Sequence, residues 1–273
     1  MTNTEDPDIA MARFIAQFRN DPLGFVMAVY PWDSDSGLQL VRLPPKYRSR
    51  FPRCEYGPDL WACEFLDELG RRCRENRFDG VDAVPATRMA VASGHGIGKS
   101  AMTAWLVHWI MSTRANCHGT VTANTANQLA SKTWASVTAW VKRSINANWF
   151  TINTNKGNLK MTCKFAPEDW FVTGQTCRKE DAESFAGQHA ANSSSFYIFD
   201  EASSIPNEIW EVAEGGLTDG EPFLFAFGNP TRNSGRFYDC FKKDSSLFST
   251  HRVDSRECQI TNKETIARWE KEY

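Results

Sequence analysis

The sequence of 273 residues predicts an α/β fold in which helices flank a mainly parallel, twisted sheet. Three observations predict this fold class. Short apolar runs alternate with helical patterns from residue 88 to residue 227, a glycine-rich turn joins one of these runs directly to a helix, and an Asp-Glu pair ends another. Because such alternation requires crossover connections, most strands are expected to run parallel.

An N-terminal segment, residues 1–58, precedes this alternation. Spaced apolar residues between positions 4 and 30 predict one or two short helices that end at Pro31. Residues 31–58 contain five prolines and many charges, so they are predicted to be irregular and to wrap the surface. We expect the whole segment to pack on the core that follows.

Residues 59–273 are predicted to form the α/β domain. The spacing of apolar side chains predicts helices at 59–74, 99–112, 126–145, 207–213 and 263–273. Apolar runs predict strands at 88–93, 119–123, 171–174, 196–200, 223–227 and 248–253. Alternation of apolar and polar residues around Asn155-Lys156-Gly157 predicts a β-hairpin at 150–163, inserted at the edge of the sheet.

Composition excludes several classes of protein. The net charge of −2 indicates that any nucleic-acid contact must come from a local basic patch. No apolar stretch approaches the ~20 residues of a membrane span, and the acidic start MTNTEDPD is unlike a secretory signal. We therefore expect a cytoplasmic protein without a membrane segment. The eight cysteines form no C-x-x-C pair, which favours reduced thiols over a zinc site.

The turn SGHGIGKS joins the strand predicted at 88–93 to a helix. Glycines in such a turn let successive backbone N–H groups surround phosphate oxygens, and the helix N-terminus adds partial positive charge. Lys99 is expected to reach the β- and γ-phosphates, and the Ser100 hydroxyl to bind Mg²⁺. The predicted nucleotide-binding residues of this turn are Ser93, Gly94, His95, Gly96, Ile97, Gly98, Lys99 and Ser100.

This turn has two other interpretations. A dinucleotide fingerprint is excluded because no glycine follows Gly96 by three residues. A flexible loop beside a surface lysine is the non-functional alternative. Ser93 stands where the usual phosphate-loop pattern has its first glycine.

A second motif, FYIFDEAS, ends an apolar run with Asp200 and Glu201. Open α/β sheets bind ligands beyond the carboxyl ends of their strands. Asp200 is therefore the expected Mg²⁺ partner beside Ser100, and Glu201 is expected to orient a water for in-line attack on the γ-phosphoryl group. The alternative is an ordinary strand that meets its solvent-exposed loop.

The nucleotide is expected to be ATP. Guanine is typically recognised by Asn-Lys-x-Asp, and the comparable run at residues 262–265 ends in Thr265. Small-molecule kinases need no water-activating carboxylate, because their nucleophile is a substrate hydroxyl. The acidic pair therefore favours nucleotide hydrolysis coupled to mechanical work.

The sequence resembles the ATPase domain of the large terminase subunit of tailed bacteriophages. Six segments carry the resemblance in this order: PWDSDSGL (31–38), SGHGIGKS (93–100), TANTANQLASKTW (122–134), AESFAGQHA (182–190), FYIFDEAS (196–203) and FAFGNPTRNSGRFYD (225–239). The resemblance implies a P-loop NTPase fold of the RecA-like, additional-strand class, with ATP and Mg²⁺ as cofactors. It also implies that ATP hydrolysis drives viral double-stranded DNA into a procapsid. The implied partners are that DNA, the portal protein, the small terminase subunit and further copies in a ring, within the host-cell cytoplasm.

The resemblance assigns roles to single residues. Asn229 and Thr231, in the family's third motif, are expected to donate hydrogen bonds toward the γ-phosphate or the attacking water. Trp61 corresponds to the tryptophan of the upstream helix and is expected at the nucleotide. Ala62 and Cys63 stand where many terminases have the glutamine that recognises adenine, so base recognition is expected to be loose or made by other residues.

Other positions stay open. His95 stands where many terminases have an arginine, and a neutral histidine supplies less charge there. Arg178, Arg232 and Arg236 are candidates for an arginine presented to a neighbouring subunit's γ-phosphate. Basic clusters at 71–74, 142–143 and 242–243 are interpreted as solvated faces, with phosphate or subunit contacts as the alternative.

Members of this family usually continue into a metal-dependent nuclease domain. The sequence ends at Tyr273 without a further cluster of aspartates on strands, so no nuclease activity is expected from these residues. Two alternatives to the packaging motor remain: a helicase-like DNA translocase, and a nucleotide-binding scaffold for DNA or portal protein without independent catalysis.

Overall fold

The computed structural model describes residues 6–177, 179–186, 190 and 192–272. Within these residues, one sheet of eight strands forms the centre of the molecule. The strands are β1 (Thr87–Ser93), β2 (His118–Ala123), β3 (Phe150–Asn153), β4 (Leu159–Cys163), β5 (Phe171–Thr176), β6 (Ser195–Asp200), β7 (Phe223–Gly228) and β8 (Ser249–Val253).

The strand order is β3-β4-β5-β2-β6-β7-β1-β8. The six strands from β5 to β8 in this order pair in parallel, whereas β3 and β4 form an antiparallel hairpin at one edge. The predicted mainly parallel sheet and its edge hairpin are therefore confirmed. Strand β7 lies between β1 and β6, which is the position that the additional-strand class requires.

Helices flank this sheet. They are α1 (Pro7–Ala16), α2 (Pro22–Val29), α3 (Pro45–Arg48), α4 (Leu60–Asn76), α5 (Lys99–Thr113), α6 (Ala126–Gln128), α7 (Ala135–Arg143), α8 (Asn207–Gly215), α9 (Arg236–Cys240) and α10 (Lys263–Glu272). A π-helical segment (Leu129–Trp134) joins α6 to α7. Single 3₁₀ turns lie at Ala147–Trp149 and Ala202–Ser204, and a longer 3₁₀ segment lies at Lys179–Phe185.

The two faces of the sheet are buried in two hydrophobic clusters. Met89 and Val91 of β1 belong to the cluster that contains α2, α4 and α5, whereas Ala90 belongs to the cluster that contains α8 and α9. This division follows from the alternation of side chains along a strand. Because both faces are covered, the central strands are rich in apolar residues, and β6 and β7 contain only buried residues.

The N-terminal segment shares the first of these clusters. Leu23, Phe25 and Val26 of α2 are completely buried in it, together with residues of α4 and α5. Helix α2 begins at Pro22, and the Asp21 carboxylate caps it by accepting a hydrogen bond from the Gly24 N–H at 2.9 Å.

Three elements differ from the sequence-based expectation. The helix predicted at 126–145 ends at Arg143 and contains the π-helical segment. Helices α3 and α9 lie in stretches for which no helix was predicted, because four or five residues are too few to show a helical period. The eight cysteines are free thiols, as expected. No helix in the described part of the chain is long and apolar enough to cross a bilayer.

Candidate nucleotide-binding site

The phosphate loop connects β1 to α5. Gly96 and Gly98 have φ values of 77° and 94°, a region in which side chains other than glycine are strained. Helix α5 begins directly after Gly98, so its unpaired N–H groups point into the loop. Free N–H groups together with the positive end of the helix dipole form an anion-binding site.

Lys99 lies inside this loop with 9% of its surface exposed. Its Nζ donates hydrogen bonds to the Gly94 carbonyl at 2.7 Å, to Ser93 Oγ at 3.2 Å and to Asn229 Oδ1 at 2.7 Å. Burial lowers the pKa of the Lys99 ammonium, and the nearby carboxylates of Glu201 and Asp200 oppose that shift. The ammonium is thus held in place by neutral acceptors and lies close to two carboxylates.

The acidic pair lies at the same edge of the sheet as the loop. In the strand register, Asp200 is opposite Phe227 and the next residue of β7, Gly228, is opposite Ala92, so β6, β7 and β1 end at one level. Burial raises the pKa of Asp200, which is 5% exposed. The structure therefore brings Lys99, Asp200 and Glu201 together from the ends of two strands, β1 and β6.

Glu201 has a left-handed backbone, with φ 54° and ψ 44°. For a residue with a Cβ this conformation costs about 1–2 kcal/mol, and such strain occurs preferentially at functional sites. The Glu201 N–H donates to Asp200 Oδ1 at 3.1 Å, and the Glu201 side chain is half-buried.

Asn229 links the loop to the end of β7. Its Oδ1 accepts the bond from Lys99, and its Nδ2 approaches His95 Nε2 at 2.7 Å. Asn229 is 7% exposed. Thr231, two residues further on, is exposed, and its hydroxyl donates to Ser203 Oγ at 3.2 Å. Of the two residues predicted from the third motif, Asn229 touches the phosphate loop and Thr231 contacts the turn after Glu201.

Trp61 lies on the opposite side of the loop. Its Nε1 donates to the Ile97 carbonyl at 3.1 Å, so α4 is tied to the turn through a side chain. Beside it an apolar cleft extends past Gly98. The cleft is lined by side chains that include Trp32, Trp61, Trp105, Trp140, Leu40 and Ile260.

Two hydroxyl residues that the sequence did not single out also reach this site. Thr133, in the π-helical segment, donates from Oγ1 to Asp200 Oδ2 at 2.5 Å. Ser136, in α7, donates from Oγ to the Ser100 carbonyl at 3.0 Å. Both lie at or just beyond the segment TANTANQLASKTW, but nothing in that pattern indicates which of its residues approach Asp200 and Ser100.

The candidate arginines separate by their contacts. Arg236 pairs with Glu214 and, at 3.2 Å, with Asp244, so its guanidinium is engaged within the chain. Arg232 is exposed on the wall of a cleft that also contains Ser93 and Gly94. Arg178 lies outside the described residues. Among the basic clusters, Arg71, Arg72, Arg143 and Lys243 pair with carboxylates on the surface.

The residues present fit a magnesium ion. Mg²⁺ prefers hard oxygen donors and is usually bound by one or two carboxylates, with water and phosphate oxygens completing the octahedron. Asp200 supplies a buried carboxylate and Ser100 a hydroxyl at the first turn of α5, next to the anion-binding loop.

No family model matches the chain. A curated protein, the probable terminase large subunit of Enterobacteria phage P7, is 29% identical over 154 residues, which are 55% of this chain and 30% of that protein. The chain therefore spans less than a third of this relative.

Solved structures of large terminases also resemble this chain. The HK97 bacteriophage large terminase superposes with a TM-score of 0.60 at 11% identity, over 93% of this chain and 51% of that one. The ATPase domain of the Thermus phage P74-26 large terminase gives 0.52 at 17% identity, over 85% and 92% of the two chains. The large terminase of the thermophilic bacteriophage D6E in complex with ADP gives 0.53 at 15% identity, over 69% and 45%. These likenesses show the fold, and with the phage P7 relative they confirm the resemblance to large terminases.

Proposed function

We propose that this chain is the ATPase motor domain of a phage DNA-packaging terminase, which hydrolyses MgATP to drive double-stranded viral DNA into a procapsid. One observation carries the proposal: Lys99, Asn229, Asp200 and Glu201 meet at one edge of the sheet, and Lys99 is hydrogen-bonded across the phosphate loop to Asn229. The similarity to large terminases supports the same activity.

The phosphate loop binds the triphosphate in this proposal. Backbone N–H groups at the start of α5 donate to the phosphate oxygens, and Lys99 exchanges neutral acceptors for the β- and γ-phosphates. Ser100 and Asp200 hold Mg²⁺, which when bound neutralises charge on the phosphates. The D6E large terminase, which has a similar fold, was solved with ADP, and this supports a nucleotide site here.

Glu201 acts as the base in this proposal. Its carboxylate orients a water in line with the γ-phosphoryl group and accepts a proton as the water oxygen bonds to phosphorus. The bond from phosphorus to the β,γ-bridging oxygen breaks, and ADP and inorganic phosphate leave. The strained left-handed backbone at Glu201 supports a functional role for this residue, because such strain occurs preferentially at functional sites.

Asn229 links the state of the nucleotide to the end of β7. Lys99 is bonded to Asn229 Oδ1, and Asn229 Nδ2 faces His95. When Lys99 turns to a γ-phosphate, the Asn229 amide loses this partner and becomes available to the phosphate or the water. Thr231, bonded to Ser203 in the turn after Glu201, extends the link toward the base.

The adenine ring occupies the apolar cleft beside Trp61 in this proposal. The cleft offers indole rings and aliphatic side chains, which bind a planar ring by stacking and burial, and this selects weakly between bases. The family's adenine-reading glutamine is replaced here by Ala62 and Cys63. We infer that ATP is preferred over GTP only modestly.

The test is phosphate release by the full chain, with and without double-stranded DNA and a small terminase subunit. Glu201→Gln should keep ATP affinity and lower turnover by about 10²- to 10⁴-fold, because it removes the base and keeps the size of the side chain. Glu211→Gln, on the exposed face of α8, is the matched control and should leave turnover unchanged.

Other outcomes assign the chain differently. Undiminished hydrolysis by Glu201→Gln would remove this residue from the role of base. Tight nucleotide binding without turnover, even with DNA and partner proteins present, would favour a scaffold. Strand separation of a duplex would favour a helicase-like translocase. The proposed packaging role also implies a portal protein, a ring of further copies of this chain and a location in the host-cell cytoplasm.

A further inference from the structure

One helix contacts both proposed metal ligands. Thr133 Oγ1 donates to Asp200 Oδ2 at 2.5 Å, and Ser136 Oγ donates to the Ser100 carbonyl at 3.0 Å. The two hydroxyl residues are three positions apart, so they lie on the same face of the helix. That face is therefore hydrogen-bonded to Asp200, which supplies the proposed metal-binding carboxylate, and to Ser100, which supplies the proposed metal-binding hydroxyl.

The position of Thr133 is fixed by packing that does not involve the site. Thr133 is completely buried, as is Trp134 beside it, and the Trp134 indole N–H donates to the Asn153 carbonyl of β3 at 3.0 Å. The segment is π-helical, a conformation that is rare and occurs frequently at functional sites. The hydroxyl is thus held by the hairpin edge and by the helix, independently of Asp200.

The bonds to Asp200 divide between its two oxygens. Oδ2 accepts from Thr133, and Oδ1 accepts from the Glu201 N–H. Each carboxylate oxygen has two lone pairs, so each one keeps an acceptor position for another partner. The carboxylate is consequently fixed in rotation by two protein donors while it retains the capacity to bind a cation.

We propose that Thr133 is a positioning residue for the metal. Its hydroxyl orients the Asp200 carboxylate, and Ser136 of α7 holds Ser100 at a fixed position relative to that carboxylate. This rests on the proposed MgATP site. Removal of a hydrogen-bond partner of a metal ligand typically lowers the metal affinity by about 10- to 100-fold. Thr133 therefore sets the affinity for Mg²⁺ and leaves the binding of the phosphates to the loop.

The test separates metal binding from nucleotide binding. Calorimetry measures ADP binding to the full chain in EDTA, and thermal unfolding at saturating ADP is followed as MgCl₂ is added. Thr133→Val should bind ADP in EDTA like the wild type, and its half-saturation for Mg²⁺ should rise by about 10- to 100-fold. Thr133→Ser, which keeps the hydroxyl, should restore the wild-type response.

Thr138→Val is the matched control. Thr138 lies on the same helix, but its hydroxyl donates only to the helix's own backbone, at the Trp134 carbonyl, so its Mg²⁺ response should equal that of the wild type. Thr133→Ala provides a second removal of the hydroxyl without the added methyl group. Loss of ADP binding in EDTA by both Thr133→Val and Thr133→Ala would show a role in folding alone and would overturn the proposal.

The two proposals fail in different ways. If ADP does not bind to the wild-type chain, the proposed nucleotide site itself is wrong; if ADP binds and Mg²⁺ does not change the stability of the complex, the proposed metal site is wrong. If the wild type responds to Mg²⁺ and Thr133→Val responds identically, only the role of Thr133 is wrong.

Discussion

Asn229 has two hydrogen-bonding groups, and each has a different partner. Its carbonyl oxygen accepts from Lys99 and its amide nitrogen faces His95. An amide is neutral, so the hydrogen bond to Asn229 leaves the positive charge of Lys99 uncancelled. This neutrality matters because the same ammonium is proposed to meet a triphosphate, and a carboxylate in its place would compete with that ligand.

Asn229→Asp should therefore weaken ATP binding more than Asn229→Ala does. The new carboxylate would form a buried ion pair with Lys99 and repel the phosphates, and both effects oppose the binding of a negatively charged ligand. We expect a loss of affinity of at least about 10-fold, equivalent to about 1.4 kcal/mol. Calorimetric ATP binding to both variants checks this, and equal affinities would show that Lys99 does not depend on a neutral partner.

Strands β6, β7 and β1 explain how much of the molecule the sequence could predict. Their central residues are buried and mostly apolar, so their positions follow from the sequence to within a residue or two. Their carboxyl ends meet at one edge by the rules of parallel sheets. The juxtaposition of Lys99 with the acidic pair was predictable for this reason.

Contacts between side chains were less predictable. Thr133 and Asp200 are 67 residues apart, and their meeting depends on a π-helical segment that no periodicity indicates. Helix α9 is short. The ion pairs of its residue Arg236 are with Glu214 in α8 and with Asp244 after α9. Local patterns specify strands and helices, whereas these contacts depend on how the elements pack.

Helix α5 and strand β7 are also joined at the end of the sheet away from the site. Arg114, which follows α5, is completely buried, and its Nε and Nη2 donate to the two oxygens of Glu221 at 2.9 and 3.0 Å. Glu221 stands just before β7, and Ser194 also donates to it at 2.9 Å. Both elements of the proposed nucleotide site are thus anchored by the ion pair of Arg114 with Glu221, to which Arg19 also pairs at 3.5 Å.

Glu221→Ala should lower the free energy of unfolding by about 3–5 kcal/mol, because it leaves the Arg114 charge buried and uncompensated. Urea unfolding measures this loss, with Glu211→Ala on the surface as the comparison. A loss of under about 1 kcal/mol, the range of exposed pairs, would mean that water reaches Arg114.

At the scale of the whole molecule, His108 joins three parts of the chain. It lies on α5, completely buried; the Tyr30 hydroxyl after α2 lies 2.8 Å from Nδ1, and Ser144 after α7 lies 3.4 Å from Nε2. Ser144 donates its own proton to the Val141 carbonyl, so its oxygen can accept from Nε2–H. A neutral imidazole with its proton on Nε2 then accepts the Tyr30 hydroxyl proton at Nδ1, and both ring nitrogens are satisfied without a charge.

This histidine makes stability depend on pH. Burial lowers the pKa of His108 to about 3, whereas in the unfolded chain a histidine titrates near 6.5. Between these values the unfolded state binds one more proton, so the contribution is fully present above about pH 6.5 and is lost as the pH falls. Each pH unit costs at most about 1.4 kcal/mol.

Urea unfolding of the wild type and His108→Gln from about pH 7 to about pH 4 checks this expectation. The stability of the wild type should fall more steeply with decreasing pH, since the glutamine variant has no proton to bind at this position. Parallel slopes would show that His108 is protonated in the folded protein.

The apolar cleft beside the phosphate loop has an optical consequence. The indole rings of Trp32, Trp105 and Trp140 lie within 5.0 to 5.8 Å of one another, and Trp61 lines the same cleft. At such separations the electronic transitions of the indole rings couple. The rings then share excitation energy and give a joint circular-dichroism signal in the ultraviolet. A purine bound in the cleft, as proposed, would quench their emission, so the intrinsic fluorescence of the chain would report an occupied base site.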